Sequence, residues 1–231
     1  MTGYGQFCAV ARAHEVLGGR WTLLVLREIL CGASRFAEIR RGIPRISKTM
    51  LAERLAELVA IGAIERRDHG DGPEYRATEA GREAMPIVAA LAVWGQRHLP
   101  RQAAAEDLDL DPVLVDMARR VRAAHLPAVP IVIRVELAGL PRRFLLLKGA
   151  ESTACLINPG FPEPVAIRGR LDALVAWWRG DAGFAEARRQ GLVLEGDRAL
   201  VRAFPGWFDR YAFAAIHPAA IAAARSGEPV P

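Results

Sequence analysis

The residues best suited to interact with a charged partner lie between positions 35 and 54. This stretch carries six basic side chains and two acidic ones, Glu38 and Glu53. The basic residues are Arg35, Arg40, Arg41, Arg45, Lys48 and Arg54. Guanidinium and ammonium groups at this density can hold the phosphates of a nucleic acid. The formal net charge of the whole chain, +5 at pH 7, permits a polyanionic partner without requiring one.

The element that must position these cations is a predicted helix beginning after Ser47. Its sequence, KTMLAERLAELVAIG, repeats apolar residues at helical spacing, which predicts a core-facing stripe. The stripe consists of Leu51, Leu55, Leu58 and Ile61. The opposite face of the first two turns carries Lys48, Thr49, Ala52 and Glu53. Since Ser47 can cap the first amides, we expect an exposed helix N-terminus with short, polar side chains.

The surrounding elements predict a winged helix-turn-helix. Helices are predicted at 9–17 and 21–30, with Trp21, Leu24 and Ile29 in the core, and a third at 35–41 capped by Ser34. Residues 63–69 and 74–78 flank the turn-rich GDGP and predict a hairpin, the wing. A last helix from Thr78 carries a long apolar face, which suggests a dimer contact.

An exposed helix N-terminus can enter the major groove while nearby arginines hold the backbone, and a wing can reach the minor groove. A solvated basic helix face is the simpler interpretation of the same arginines. The ordered set of helices, hairpin and charge favours DNA binding. The predicted DNA-binding residues are Arg35, Arg40, Arg41, Arg45, Ser47, Lys48, Thr49, Glu53, Arg54, Arg66, Arg67, His69 and Arg76.

Over residues 8–98 the chain resembles the HxlR-type winged-helix regulators of bacteria. The likeness includes Cys8, GGRWTLLVLREIL, RFAEIRRGIPRISKTMLAERLAELVAIGAIERR and EYRATEAGREAMPIVAALAVWG. The resemblance implies a homodimer formed by the first and last helices of this domain. It also implies recognition by the helix that opens at Ser47 and a wing at about 66–76. Cys8 is either an unreactive thiol near the chain end or a redox-sensing thiol, which would need a lowered pKa.

The second half is predicted to be α+β. A helix at 111–125 precedes strand-like stretches at 131–137, 143–148, 153–158 and 164–169. The polar segment RQAAAEDLDLD predicts a linker at 101–111, which gives domains at 1–100 and 112–231. From INPGFPEPVAIRG to FPGWF, the sequence resembles the sterol-carrier-protein type of lipid-binding domain. That resemblance implies a curved sheet covered by helices, with an apolar cavity between them.

The aromatic residues of this half could line a pocket or form a dense core. The pocket candidates are Trp177, Trp178, Phe184, Phe204 and Trp207. An apolar or lipid-like small ligand would be the occupant, with Arg134, Arg168 or Arg202 meeting a polar head. A surface salt bridge is the alternative for each of these arginines.

The sequence contains no catalytic motif among HExxH, GxSxG, GxxxxGK[ST] and GxGxxG, and no paired CxxC. Its five histidines are dispersed and its three cysteines are scattered, so we expect no enzyme, no metal and no cofactor. The first residues lack the features of a secretory signal, and the chain lacks a long apolar run, which predicts a cytoplasmic protein without a membrane partner.

Three functional hypotheses follow. The first is a DNA-binding transcriptional regulator, acting as a dimer on a palindromic operator and controlled by a small apolar ligand in the second domain. The second is a lipid carrier or sequestering protein whose winged helix serves only dimerisation. The third, an enzyme for a small apolar substrate, would require two convergent titratable groups in a pocket.

Overall fold

A computed structural model describes residues 3–99 and 108–216 and shows an α+β fold. We call residues 3–99 the N-terminal half and residues 108–216 the C-terminal half. Helices of the N-terminal half are α1 (Ala9–Leu17), α2 (Thr22–Leu30), α3 (Phe36–Gly42), α4 (Lys48–Ala60), α5 (Glu79–Glu83) and α6 (Met85–His98). Its antiparallel hairpin, the wing, consists of β1 (Ile64–His69) and β2 (Gly72–Ala77).

The apolar stripe of α4 holds the N-terminal half together. Leu51, Leu55 and Leu58 are buried and belong to one apolar cluster with Val25, Leu26 and Ile29 of α2. Ile61, predicted as a fourth core position, is exposed because α4 ends at Ala60. Leu24 is also partly exposed rather than in the core. Packing therefore fixes α4 by its inner face and leaves its outer face free.

Two boundaries in this half differ from the sequence prediction. Ser34 does not cap α3; instead the Glu38 carboxylate accepts the backbone N–H groups of Ser34 at 2.9 Å and Arg35 at 3.0 Å. A carboxylate at this position also suits the positive end of a helix dipole. The predicted last helix is divided at Ala84, where α5 ends and α6 begins.

The C-terminal half is a five-stranded sheet with helices packed against it. The strands are β3 (Ile131–Leu137), β4 (Arg143–Leu147), β5 (Thr153–Cys155), β6 (Val165–Gly169) and β7 (Leu192–Gly196), in the order β5-β4-β3-β6-β7. The helices are α7 (Leu110–Arg119), α8 (Leu171–Arg179), α9 (Phe184–Arg189) and α10 (Arg198–Ala203). Only the β3–β6 pair is parallel, and the β6–β7 pair returns antiparallel.

Strand alternation places the second core on one face of this sheet. Ile133 and Val135 of β3 are buried in a cluster with Leu114 of α7 and Leu174 of α8, while Arg134 points to the other face. The predicted helix at 111–125 is shorter than expected, because α7 ends at Arg119. The predicted strand at 153–158 ends at Cys155. Of the predicted linker, residues 101–107 lie outside the described residues, and Leu110 and Asp111 already belong to α7.

The two halves meet around a buried carboxylate. Glu28 of α2 is 2% exposed, and its oxygens lie 2.6 Å from Nη2 of Arg27 and 2.8 Å from Nη2 of Arg119, on α7. Gly42 packs so closely that a Cβ at this position would lie 1.9 Å from Oε2 of Glu28. One ion pair therefore connects α2 of the N-terminal half to α7 of the C-terminal half.

Among the helices of these two ranges, none has both the length and the apolar character that crossing a bilayer would require.

Candidate nucleic-acid interface

The start of α4 is an exposed, capped helix N-terminus. Ser47 has extended backbone, and its hydroxyl accepts the backbone N–H of Met50 at 3.1 Å. The exposed residues of the first two turns are Ser47, Lys48, Thr49, Ala52 and Glu53. The structure thus places these predicted site residues together on the solvent face of α4, where small side chains leave the backbone accessible.

Lys48 and Arg45 supply the positive charge at this end of the helix, and they differ in whether a carboxylate pairs with them. Lys48 is exposed, and no carboxylate of the described residues lies within ion-pair distance of it. Arg45 is half-exposed and pairs through Nε with Oδ2 of Asp109 at 2.7 Å. Because an exposed pair of this kind contributes little stability, a phosphate can replace Asp109 at Arg45.

Arg54 and Arg40 lie further from solvent than the sequence suggested. The Arg54 side chain is 18% exposed, with Nη1 2.8 Å from Oε2 of Glu57, and it packs beside Gly19. Its role is to hold α4 against the turn before α2. Arg40 is partly buried, and its Nε has no hydrogen-bond partner among the described residues.

Arg35 and Arg41 are engaged within the protein. Arg35 donates to the carbonyl of Gly72 at 2.7 Å and to both carboxylate oxygens of Asp71, which ties the start of α3 to the tip of the wing. Nη1 of Arg41 donates to the carbonyl of Ala154 at 2.9 Å, on β5 of the C-terminal half. Arg35 therefore positions the start of α3 against the wing, and Arg41 joins α3 to β5.

The wing presents exposed arginines, each beside a carboxylate. Arg66 pairs with Asp68 at 2.8 Å, Arg67 with Glu65 at 2.6 Å, and Arg76 with Glu74 at 3.0 Å. These side chains are all about half exposed, and surface pairs of this kind exchange readily for another anion. The wing can thus bind a phosphate backbone after its own carboxylates are displaced.

Glu74 also holds His69 near the tip of the wing. Nε2 of His69 lies 3.1 Å from Oε2 of Glu74. The Arg76 hydrogen bond is the main cause that lowers the pKa of Glu74, and His69 contributes to the same direction. Glu74 therefore stays ionised and holds both Arg76 and His69 in place.

Cys8 lies at the N-cap of α1, where helix amides lower the pKa of its thiol. The nearby backbone N–H groups of Ala11 and Val10 lower the pKa of this thiol, whereas burial raises the pKa of Cys31 and Cys155. The thiol of Cys8 therefore ionises more readily than the thiols of Cys31 and Cys155.

We expect Cys8 to react with iodoacetamide on the order of tenfold faster than Cys31 or Cys155 near neutral pH, because only the thiolate attacks. The pH midpoint of its labelling should lie below that of an ordinary thiol, and the midpoints of the other two above it. Peptide mass spectrometry across a pH series measures all three rates. In denaturant the rates should converge; an equally fast Cys8 there and in the folded protein would mean that α1 does not activate it.

The aromatic residues predicted to line a ligand pocket pack tightly against one another. Neighbouring ring centroids of Trp177, Phe184, Phe204 and Trp207 lie 5.3 to 6.0 Å apart, two of the four pairs edge-on and two tilted. Nε1 of Trp178 donates to Asp116 at 2.8 Å. Aromatic packing of this kind fills a core, which was the alternative interpretation of these residues.

The arginines expected to meet the head of a ligand lie elsewhere. Arg134 and Arg168 project from the sheet face opposite the aromatic cluster, where they pair with Glu136 at 3.3 and 3.1 Å. The expectation fails because strand alternation directs their side chains away from the core. Arg202 is exposed on α10.

Sequence reasoning did not single out Asp109, Glu28 or Arg119. Asp109 lies in the segment predicted as a linker, and no local pattern in the sequence indicates its contact with Arg45. The burial of Glu28 could have been predicted, because Glu28 follows Val25 by three residues and so falls on the buried face of α2.

Comparisons with known proteins agree with this geometry. The family model described as HxlR-like helix-turn-helix matches residues 16–103. The chain is 44% identical over 98 residues to an HTH-type transcriptional regulator of Mycobacterium tuberculosis, across 40% of this chain and 60% of that protein. It is 40% identical over 94 residues to one of Methanothermobacter thermautotrophicus, across 39% of this chain and 72% of that protein. It is 34% identical over 106 residues to YkvN of Bacillus subtilis, across 45% of this chain and 90% of that protein.

Proposed function

This chain belongs to the HxlR-like family of helix-turn-helix transcriptional regulators, and from that premise we propose that it binds a palindromic operator as a homodimer. The observation that carries the proposal is the exposed, capped N-terminus of α4, with Lys48 exposed beside it. Each subunit would place α4 in a major groove, the two being about 34 Å apart along the DNA.

The described contacts divide the site residues by role. Ser47, Lys48, Thr49 and Glu53 would approach bases and backbone, and Arg45 would exchange Asp109 for a phosphate. In the wing, the backbone contacts would come from Arg66, Arg67, Arg76 and His69. Arg35, Arg41 and Arg54 would support these elements from behind, with Arg40 beside them.

Selection from genomic DNA tests the proposal. Full-length protein should enrich discrete fragments and bind them roughly 10³-fold more tightly than scrambled DNA of equal length. Affinity should fall steeply with salt, since arginine and lysine contacts release counterions. Equal affinity for selected and scrambled fragments would contradict sequence-specific regulation.

The proposal of a dimer is supported by an apolar surface on α1 and α6. No residue of α1 is buried, and α6 buries only Gln96. Ile87, Leu91 and Trp94 form a stripe at helical spacing, about half exposed, and Val10 of α1 is 75% exposed. A second copy that covers this face would remove its apolar area from water.

We expect Leu91→Asp to raise the dissociation constant of the dimer roughly 30-fold, because it buries an unpaired carboxylate at the centre of the stripe. Sedimentation velocity over a concentration series measures the change. Val193→Asp is the matched control, since Val193 is exposed to a similar degree on β7. If both variants dissociate alike, or neither does, the surface of α6 is not the dimer contact.

We also propose the division into two domains, with the predicted linker of 101–111 ending before Leu110, where α7 begins. Two separate apolar clusters, one in each half, support it. The C-terminal half would be a sterol-carrier-like domain, in keeping with its helices on one sheet face. Its closed aromatic cluster means that an apolar ligand would have to part the rings. Native mass spectra of the purified protein should then contain bound lipid.

A further inference from the structure

A cleft of about 330 Å³ lies between the two halves of the chain, away from the face of α4. Cys31, Glu38 and Arg41 line it from the N-terminal half, and Arg119 and Ser152 line it from the C-terminal half. Its remaining lining residues are Gly32, Ala33, Val115, Ala118, Ala150, Thr153 and Ala154. A space of this size suits a small molecule.

The charge of the cleft is positive and incompletely neutralised. Arg41 has one neutral partner, the carbonyl of Ala154, and no carboxylate of the described residues lies within ion-pair distance of its guanidinium. Arg119 shares Glu28 with Arg27. Glu38 brings the one carboxylate in the lining, and its Oε2 accepts two backbone N–H groups. A guanidinium with spare donors in a cleft is a typical anion-binding group.

We propose that this cleft binds a small organic carboxylate, with its charged end at Arg41 and Arg119. The apolar part of the molecule would cover Ala33, Val115 and Ala118. The hydroxyl of Ser152 already donates to the carbonyl of Gly149 and accepts the N–H of Lys148, so the carboxylate is recognised by guanidinium groups rather than by this hydroxyl. Inorganic phosphate would leave the apolar wall uncovered.

The occupant would join the halves of the molecule. Arg41 lies in the last turn of α3, and Arg119 is the last residue of α7. A carboxylate that bridges the two guanidinium groups would fix α3 against α7 and close the cleft over Cys31. This inference does not depend on DNA binding, and the experiment below uses none.

Hexanoate is a suitable probe, with 1-hexanol as the uncharged control and inorganic phosphate as the control for a simple anion. Isothermal titration calorimetry of the full chain should show binding of hexanoate and not of hexanol. Arg41→Gln should weaken that binding roughly tenfold or more, and Arg41→Lys by less, because it keeps the charge without the planar fork. Arg189→Gln, which alters an exposed arginine on α9, should leave it unchanged.

A second measurement locates the probe. With Cys8 and Cys155 replaced by serine, hexanoate should slow the alkylation of Cys31, which lines the cleft. Absence of both heat and protection at millimolar hexanoate would overturn the proposal. Equal protection by hexanol or by phosphate would overturn the carboxylate class.

Discussion

The double variant Arg45→Ala/Lys48→Ala is expected to bind its operator roughly 100-fold more weakly than the unaltered protein, about threefold for each of the four cations lost from a dimer. Both side chains stand at the exposed start of α4, and neither belongs to the apolar cluster that holds the helix in place. In a dimer four phosphate contacts disappear. The slope of log K against log salt concentration should therefore become shallower by roughly 3 to 4.

The control removes the same charge at a distant surface. Lys48 and Lys148 are the only lysines of the chain, so Arg142→Ala/Lys148→Ala is a matched pair on the C-terminal half. Both of those side chains are well exposed in surface ion pairs. Fluorescence anisotropy at several salt concentrations compares the variants. An unchanged affinity and slope in Arg45→Ala/Lys48→Ala, or an equal loss in the control, would mean that the DNA-binding face is assigned wrongly.

Glu28→Ala is expected to lower the free energy of unfolding by about 3 kcal/mol, because it removes the shared partner of two guanidinium groups at the junction of the halves. Arg119 is one quarter exposed, and Arg27 about one third, so both regain some hydration. The loss should therefore fall at the lower end of the range for breaking a buried pair. The closeness of Gly42 to Glu28 leaves a void after truncation, which adds to the cost.

Chemical denaturation measures this change, and Glu186→Ala is the control. Glu186 pairs with Arg189 on the exposed face of α9, where loss of the pair should lower the free energy of unfolding far less than Glu28→Ala does. A double-mutant cycle of Glu28→Ala with Arg119→Ala should show a coupling of roughly 1 to 2 kcal/mol. Additive effects would show that Glu28 does not connect α2 to α7.

The local features of α4 could be predicted from the sequence because their causes are local. The stripe of Leu51, Leu55 and Leu58 follows from helical spacing, and Ser47 follows from cap chemistry. The prediction that Ile61 lies in the core was wrong, because the end of a helix depends on the residues that follow it. Here Gly62, with φ of +72°, ends the helical periodicity one residue before Ile61 would have been buried. Wing pairing was predictable in the same way, from turn residues between two short strands.

The partners of the arginines could not be predicted, because they depend on contacts distant in sequence. Arg41 and Ala154 are 113 positions apart, and Arg119 and Glu28 are 91 positions apart. A basic stretch shows where cations are and gives no information on which ones have a partner. The packing of the aromatic residues could not be predicted either, because a lined pocket and a filled core have the same amino-acid composition.

The pair between Arg45 and Asp109 gives the unbound protein an anion of its own at the DNA-binding face. A phosphate that arrives there replaces Asp109, so the loss of that pair offsets part of the free energy gained at Arg45. Phosphate contacts carry no sequence information, so sequence discrimination falls on the outer side chains of α4. Because Asp109 directly precedes α7, its release by a phosphate would also leave the start of α7, in the C-terminal half, with a newly solvated carboxylate.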